Sequence, residues 1–174
     1  MKLNPRKCAF GLTTRKFEGF MVSQRGIKVN PNKTQAIMEM APPRNVKLVQ
    51  SLNGKVATLN RFVSRATNKC LPFFCMLRKS FEWTAECQQA FEDLKAYLSS
   101  PLLLSPSKLV EEMFLYLVVS PTAISAALVR EEDKVQKSTY YTSRALRGVK
   151  EMYPPMEKLA LALVTATRKL KPYF

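Results

Sequence analysis

Past residue 30 the apolar positions recur at helical spacing. The pair Asn30-Pro31 joins an Asn suited to capping a helix to a Pro whose missing N–H is harmless in a first turn, and predicts a helix ending near Ala41-Pro42-Pro43. Asn45 is placed to cap a second helix. Along it Val46, Val49, Leu52, Val56, Leu59 and Phe62 or Val63 return every three or four residues, the pattern of a long amphipathic helix. Thr84 opens a third, with Ala90, Phe91, Leu94, Tyr97 and Leu98 on one face and Ser99-Ser100-Pro101 as its stop. Residues 66–83 hold apolar clusters broken by basic residues and predict a packed connector with one short helix. Trp83 and Phe91 read as core anchors there, and Cys70 and Cys75 as buried thiols. Ahead of residue 30 the pattern is that of short strands, over residues 8–11, 16–22 and 27–29, with Gln24-Arg25-Gly26 as turn residues.

The last third changes period. Met113-Phe114-Leu115-Tyr116-Leu117-Val118-Val119 is an unbroken apolar run, as expected of a central strand buried on both faces. Two further strands, over residues 123–130 and 137–142, flank a polar Glu131-Glu132-Asp133-Lys134 turn and predict an antiparallel meander. From about Pro155 a helix follows, with Met156, Leu159, Ala160, Leu163, Leu170 and Tyr173 along one side. Residues 99–110, with Pro101, Pro106 and several Ser, read as a linker and place a domain boundary near 105.

Charge narrows the partners. The chain carries 28 Lys and Arg against 13 Asp and Glu, a formal net charge of +15. That balance points to a polyanion, with nucleic acid ahead of a membrane surface, the plainer alternative being a solvated basic surface. The four cysteines lack CxxC spacing and the chain has no histidine, so no zinc site is expected. No leader pattern opens the chain and no run reaches the roughly 18 apolar residues of a membrane span. An intracellular chain with free thiols is the expectation.

The segment Lys2-Leu3-Asn4-Pro5-Arg6-Lys7-Cys8-Ala9-Phe10, then Lys16-Phe17-Glu18-Gly19-Phe20-Met21-Val22-Ser23 and Gly26-Ile27, resembles the end of the reverse transcriptase palm in gypsy-type LTR retrotransposons. Asn30-Pro31-Asn32-Lys33 and Pro43-Arg44-Asn45-Val46-Lys47 with Val49-Gln50-Ser51-Leu52-Asn53-Gly54 are similar to the thumb, and Phe81-Glu82-Trp83-Thr84 with Cys87, Ala90 and Phe91 to the connection. Tyr141-Thr142-Ser143-Arg144-Ala145-Leu146, Tyr153 and Glu157-Lys158-Leu159-Ala160 resemble the family's RNase H segment. The resemblance implies an α+β chain. Residues 1–29 would end the palm, 30–105 form a mostly helical thumb and connection, and 106–174 begin an RNase H-like domain, truncated to three antiparallel strands and one helix.

It also implies where chemistry would sit. The family polymerises with Mg²⁺ held by a Tyr-x-Asp-Asp hairpin, and the two aspartates here, Asp93 and Asp133, stand alone. Its RNase H cluster starts with an Asp that aligns on Val118, a side chain unable to ligate a metal. Glu157 matches the second acid of that cluster, the plainer reading being a first-turn carboxylate facing a helix N-terminus. No cofactor is therefore expected for this chain, although the parent enzyme would use Mg. Binding remains. Gln50, Gly54 and Thr58 recur every four residues, and in reverse transcriptases such a Gln and Gly lie against the minor groove, with Lys55, Arg61 and Arg65 as phosphate contacts. Gly54 can equally be a tolerated mid-helix glycine costing ~1 kcal/mol. Gly19 resembles the hairpin that holds the primer end, or is an ordinary turn glycine. The implied partners are an RNA–DNA hybrid or DNA duplex and the rest of the Pol polyprotein, with no membrane. The implied localisation is that of the parent element, cytoplasmic particles and then the nucleus. Three functions follow: a nucleic-acid-binding piece without catalysis, a segment of an enzyme active only within a longer polyprotein, and a host-adopted interaction module.

Overall fold

The structure, a computed structural model, describes residues 14–17, 19–23, 25–77, 81–100, 102–108 and 111–173. The strand expected over residues 8–11 lies outside them. Strands β1 (Thr14–Phe17), β2 (Phe20–Ser23) and β3 (Gly26–Val29) form an antiparallel meander. The stretch 16–22, read as one strand, thus divides at a tight turn. Gly19 adopts φ +82° there, a conformation that favours glycine. A fourth strand, β4 (Leu103–Leu104), pairs with β3 from inside the supposed linker. At Gly26, φ +131°, an added Cβ would run into the Leu104 carbonyl oxygen, so the close approach of β4 requires glycine.

The helices follow their caps. Asn30 Oδ1 accepts from Asn32 N at 3.2 Å to start α1 (Pro31–Met38), and Asn45 Oδ1 accepts from Leu48 N at 2.9 Å to start α2 (Val46–Leu59). Val49, Leu52, Val56 and Leu59 of α2 are buried. The connector contains two short helices, α3 (Ala66–Lys69) and α4 (Leu71–Met76), rather than one. Cys70 between them is buried, and burial pushes its thiol up to about 12. Cys75 is exposed, contrary to expectation, because it falls on the outer side of α4. Thr84 caps α5 (Ala85–Ser99), which buries Cys87, Phe91, Leu94 and Leu98. Trp83 lies between Phe73, parallel at 6.1 Å, and Phe91, edge-on at 6.0 Å, as core anchors do.

The second sheet has the order β5 (Met113–Val119), β6 (Ala123–Glu132), β7 (Val135–Ala145), all antiparallel, with α6 (Pro155–Leu170) on one face. Two corrections follow. The apolar run of β5 is an outer strand of this sheet, with Tyr116 and Val118 exposed, while β6 is central. The turn between β6 and β7 is only Asp133-Lys134, both at positive φ (53° and 60°), a two-residue hairpin whose twist suits long paired strands. A third correction concerns α6. It buries Lys158, Ala162, Ala166 and Leu170, and leaves Met156, Leu159 and Leu163 outward. The alanines let the helix backbone approach the sheet, so small residues rather than large ones define its inner face.

Candidate nucleic-acid interface

On α2 the face opposite the core presents Gln50, Gly54 and Thr58, all exposed. A Cβ built on Gly54 meets nothing within 4 Å, so the glycine fills no packing role inside the chain. The Thr58 hydroxyl donates to the Lys55 carbonyl at 2.8 Å, which holds that side chain close to the helix. These three form one ridge, four residues apart.

The basic residues expected beside the ridge diverge. The Lys55 ammonium donates to the Ala36 carbonyl at 2.9 Å, in the last turn of α1, where helix carbonyls lack partners of their own. Arg61 is engaged by the second sheet: Nη2 donates to the Tyr173 hydroxyl at 2.8 Å, and the guanidinium lies 4.8 Å from the Tyr140 ring centroid. Its backbone carbonyl accepts from Tyr141 N at 3.1 Å. Arg65 is exposed, at a left-handed backbone position of φ 50°. Gly19 sits apart in the β1–β2 turn, against the end of Lys33, whose ammonium lies 5.3 Å from the Phe20 ring centroid.

Val118 and Glu157 are not brought together. Register pairs Val118 with Ser125, and side chains alternate along β5, so Leu115, Leu117 and Val119 face α6 while Val118 faces away from it. Glu157 is exposed in the first turn of α6, whose N-cap Pro154 offers no side-chain acceptor. An aliphatic chain and a lone acid on different faces do not make a carboxylate cage for Mg²⁺. Among the described residues no group of three or more His, Cys, Asp or Glu is placed to hold a metal ion.

A charge cluster that the sequence concealed lies at the far end of the second sheet. Arg130, 4% exposed, reaches Glu111 at 2.9 Å and Glu132 at 2.8 Å, close in distance though not in hydrogen-bond direction, and donates squarely to the Pro106 carbonyl at 2.9 Å. Hydrogen bonds from Lys108 and Lys137 hold the Glu132 carboxyl down at about 2. Within the run read as a polar turn, Glu132 thus belongs to a clasp on the segment entering β5.

A three-stranded antiparallel meander backed by one helix, preceded by a capped helical bundle, defines an RNase H-like class of fold joined to a thumb-like region. Residues 83–174, more than half of the chain, match the family described as the RNase H-like domain found in reverse transcriptase, and the chain belongs to that family. It is 27% identical over 186 residues to the retrovirus-related Pol polyprotein from transposon opus of Drosophila melanogaster, covering 99% of this chain and 18% of that protein. It is 25% identical to the transposon Tf2-3 polyprotein of Schizosaccharomyces pombe, with 98% and 13% covered. The chain therefore spans less than a fifth of the curated relatives it matches. Among solved structures, the foamy viral protease-reverse transcriptase in complex with dsDNA shares the fold with a TM-score of 0.77 and 21% identity, over 97% of this chain and 36% of that one. The same enzyme in complex with RNA/DNA hybrid gives 0.75 over 91% of this chain and 22% of that one, also at 21% identity.

Proposed function

We propose that this chain is the thumb, connection and RNase H-like segment of a retrotransposon Pol polyprotein, and that it grips nucleic-acid duplex without catalysing a reaction through its own residues. The observation that carries the reading is the Gln50–Gly54–Thr58 ridge. It is solvent-facing, bare of side chain at its centre, and mounted on a helix whose other side is fixed in the core. A duplex backbone can approach such a ridge closely, and the net charge of +15 supplies long-range attraction. The two foamy viral complexes lend support, since they join dsDNA and RNA/DNA hybrid to proteins of this fold. Of the three basic residues singled out beside the ridge, Arg65 is left as the phosphate contact, with Lys55 and Arg61 acting as braces. The donor set around Val118 and Glu157 supports no metal-assisted hydrolysis. A second reading, a segment serving an enzyme whose catalytic carboxylates lie elsewhere, draws on the small share of each relative that the chain spans.

The test is binding of an RNA–DNA hybrid across a salt series, with the Gln50→Ala, Gly54→Ala double variant beside the parent. Affinity should fall linearly with the logarithm of salt. The variant should bind about tenfold more weakly, the loss of roughly one hydrogen bond and of close approach. Its fold should be no less stable, because Gly→Ala in an exposed helix gains about 0.5–1 kcal/mol. Equal affinity in the two proteins would defeat the ridge as the contact.

A further inference from the structure

The second sheet is finished at one edge and bare at the other. The edge of β7 is taken at two points: Ser105 N donates to the Ser138 carbonyl at 2.9 Å, and Tyr141 N to the Arg61 carbonyl at 3.1 Å. The edge of β5 has no such neighbour among the described residues. The layer above it is bare on the same side. α6 runs along β6, from Ala162 over Ile124 to Leu170 over Leu128, and lies over β5 and β6 alike. On one flank of this helix Leu161 lines a hollow with Arg144 and Leu146, at the end of β7. At about 3.6 residues per turn, Leu159 and Leu163 fall on nearly the opposite flank. They therefore overhang the open edge of β5, with Met156 beside them, and all three are exposed.

Dimensions say what can cover this surface. The 7 residues of β5 and the 16 of α6 are matched in length, about 23 Å and about 24 Å. An occupant that satisfies both layers offers a strand and a helix side by side, as this chain itself does. A two-fold axis through Tyr116, normal to the sheet, sets β5 antiparallel to its own copy and keeps both α6 helices on one face. With strands about 4.8 Å apart and each helix above the line between β5 and β6, the two helix axes stand about 9.6 Å apart, within the roughly 8–10 Å at which helices pack. The strand pairing is self-complementary. Tyr116 meets its own copy and Phe114 meets Val118 on one face, while Leu115 meets Leu117 and Met113 meets Val119 on the other, so aromatic, β-branched and aliphatic side chains oppose one another and no charge faces its like. The helical half joins the sheet chiefly at β7, two strands from the axis, and leaves room for the second copy.

We infer that this chain forms a two-fold dimer through the edge of β5 and the Met156–Leu159–Leu163 flank of α6, a single sheet of six strands with two helices on one face. The inference does not draw on the Gln50–Gly54–Thr58 ridge. Because β7 is covered, the assembly closes at two copies. Its narrow strip of contact belongs with the smaller specific interfaces, below about 1,200 Å² in total, and the dimer is of micromolar affinity.

Sedimentation of the full chain from about 1 to 300 µM, in about 0.3 M salt to screen surface charge, tests the interface. A reversible monomer–dimer equilibrium without larger species is the expected result. Tyr116→Lys sets like charges across the axis and should weaken the dimer about tenfold, as should Tyr116→Glu. An equimolar mixture of the Tyr116→Lys and Tyr116→Glu proteins should recover the parent affinity to within about threefold, because at this register the residue faces its own copy. Leu163→Glu, at an exposed helix position, should weaken the dimer through the upper layer and decides the matter if the strand variants do not fold. Growth past the dimer, unchanged association in a folded Tyr116→Lys or Leu163→Glu protein, or a mixture no better than its components would overturn the proposal. So would a monomer throughout the range, which would assign the surface to a strand and helix of different sequence. The Gln50→Ala, Gly54→Ala protein should dimerise as the parent does, so failure of the ridge and failure of the dimer are told apart.

Discussion

The two halves of this chain hold themselves together differently. The helical half encloses one continuous core in which Phe62, Phe73, Phe91, Leu52, Leu59 and Leu94 are almost wholly buried, with Trp83 packed against it. The sheet half relies on two small clusters, one of Ala126, Leu128, Ala166 and Leu170 and one of Ile124, Leu146 and Ala162. Alanines do there what phenylalanines do in the helices, and larger apolar residues of α6 such as Met156, 77% exposed, remain outside. Since hydrophobic stabilisation scales with apolar area removed from water, the helical half is the anchor and the sheet is held to it. Arg61, bonded to Tyr173, and Ser143, whose hydroxyl donates to Asn60 Oδ1 and accepts from Thr67, contribute to that attachment, and the first explains why basic residues near α2 are not all free to meet a phosphate.

Breaking each core in turn sharpens the contrast. Phe91→Ala should cost about 3–5 kcal/mol, the usual range for emptying a well-packed aromatic site, read as a lower urea midpoint by both near-UV and far-UV signals. Leu128→Ala should cost less, about 2–3 kcal/mol, because a thin layer closes over the gap more easily. Its effect should appear first as faster amide exchange in β5–β7, with α2 and α5 still protected. If Leu128→Ala proved the more damaging of the two, the anchor would be the sheet. The smallest effect concerns the clasp on the segment entering β5. Glu132 has a folded pKa of about 2 against an ordinary 4.5, so its contribution is present above pH 4.5 and is lost as pH falls toward 2. Glu132→Gln should flatten the acid side of the stability curve within that window and leave neutral-pH duplex binding alone.

Much of the helical half was legible because its information is local. Caps at Asn30, Asn45 and Thr84 and the three-and-four spacing of α2 each sit within one or two turns of the feature they specify. The sheet half was misread where pattern and environment part company. The run Met113–Val119 has the composition of a doubly buried strand, yet Tyr116 and Val118 face outward, and nothing local distinguishes a covered face from an uncovered one. On α6 the conspicuous apolar side is the wrong one, since close packing selected the alanines. Of the site, the ridge could be read from a period of four. The engagement of Arg61 with Tyr173, 112 residues away, could not.

The exposed flank of β5 carries a consequence for the protein as a colloid. Among the described residues this strand pairs only with β6, and from Met113 to Val119 it holds no charge, proline or glycine. Its outward amides and carbonyls are a ready template for another strand, the situation natural proteins blunt with lysine or proline. Here the blunting is global, a surplus of fifteen positive charges keeping molecules apart. That repulsion reaches only about 10 Å at 0.1 M salt and about 3 Å at 1 M. Rising ionic strength thus acts on this molecule twice, weakening the proposed grip on a duplex and bringing its bare strands within range of one another.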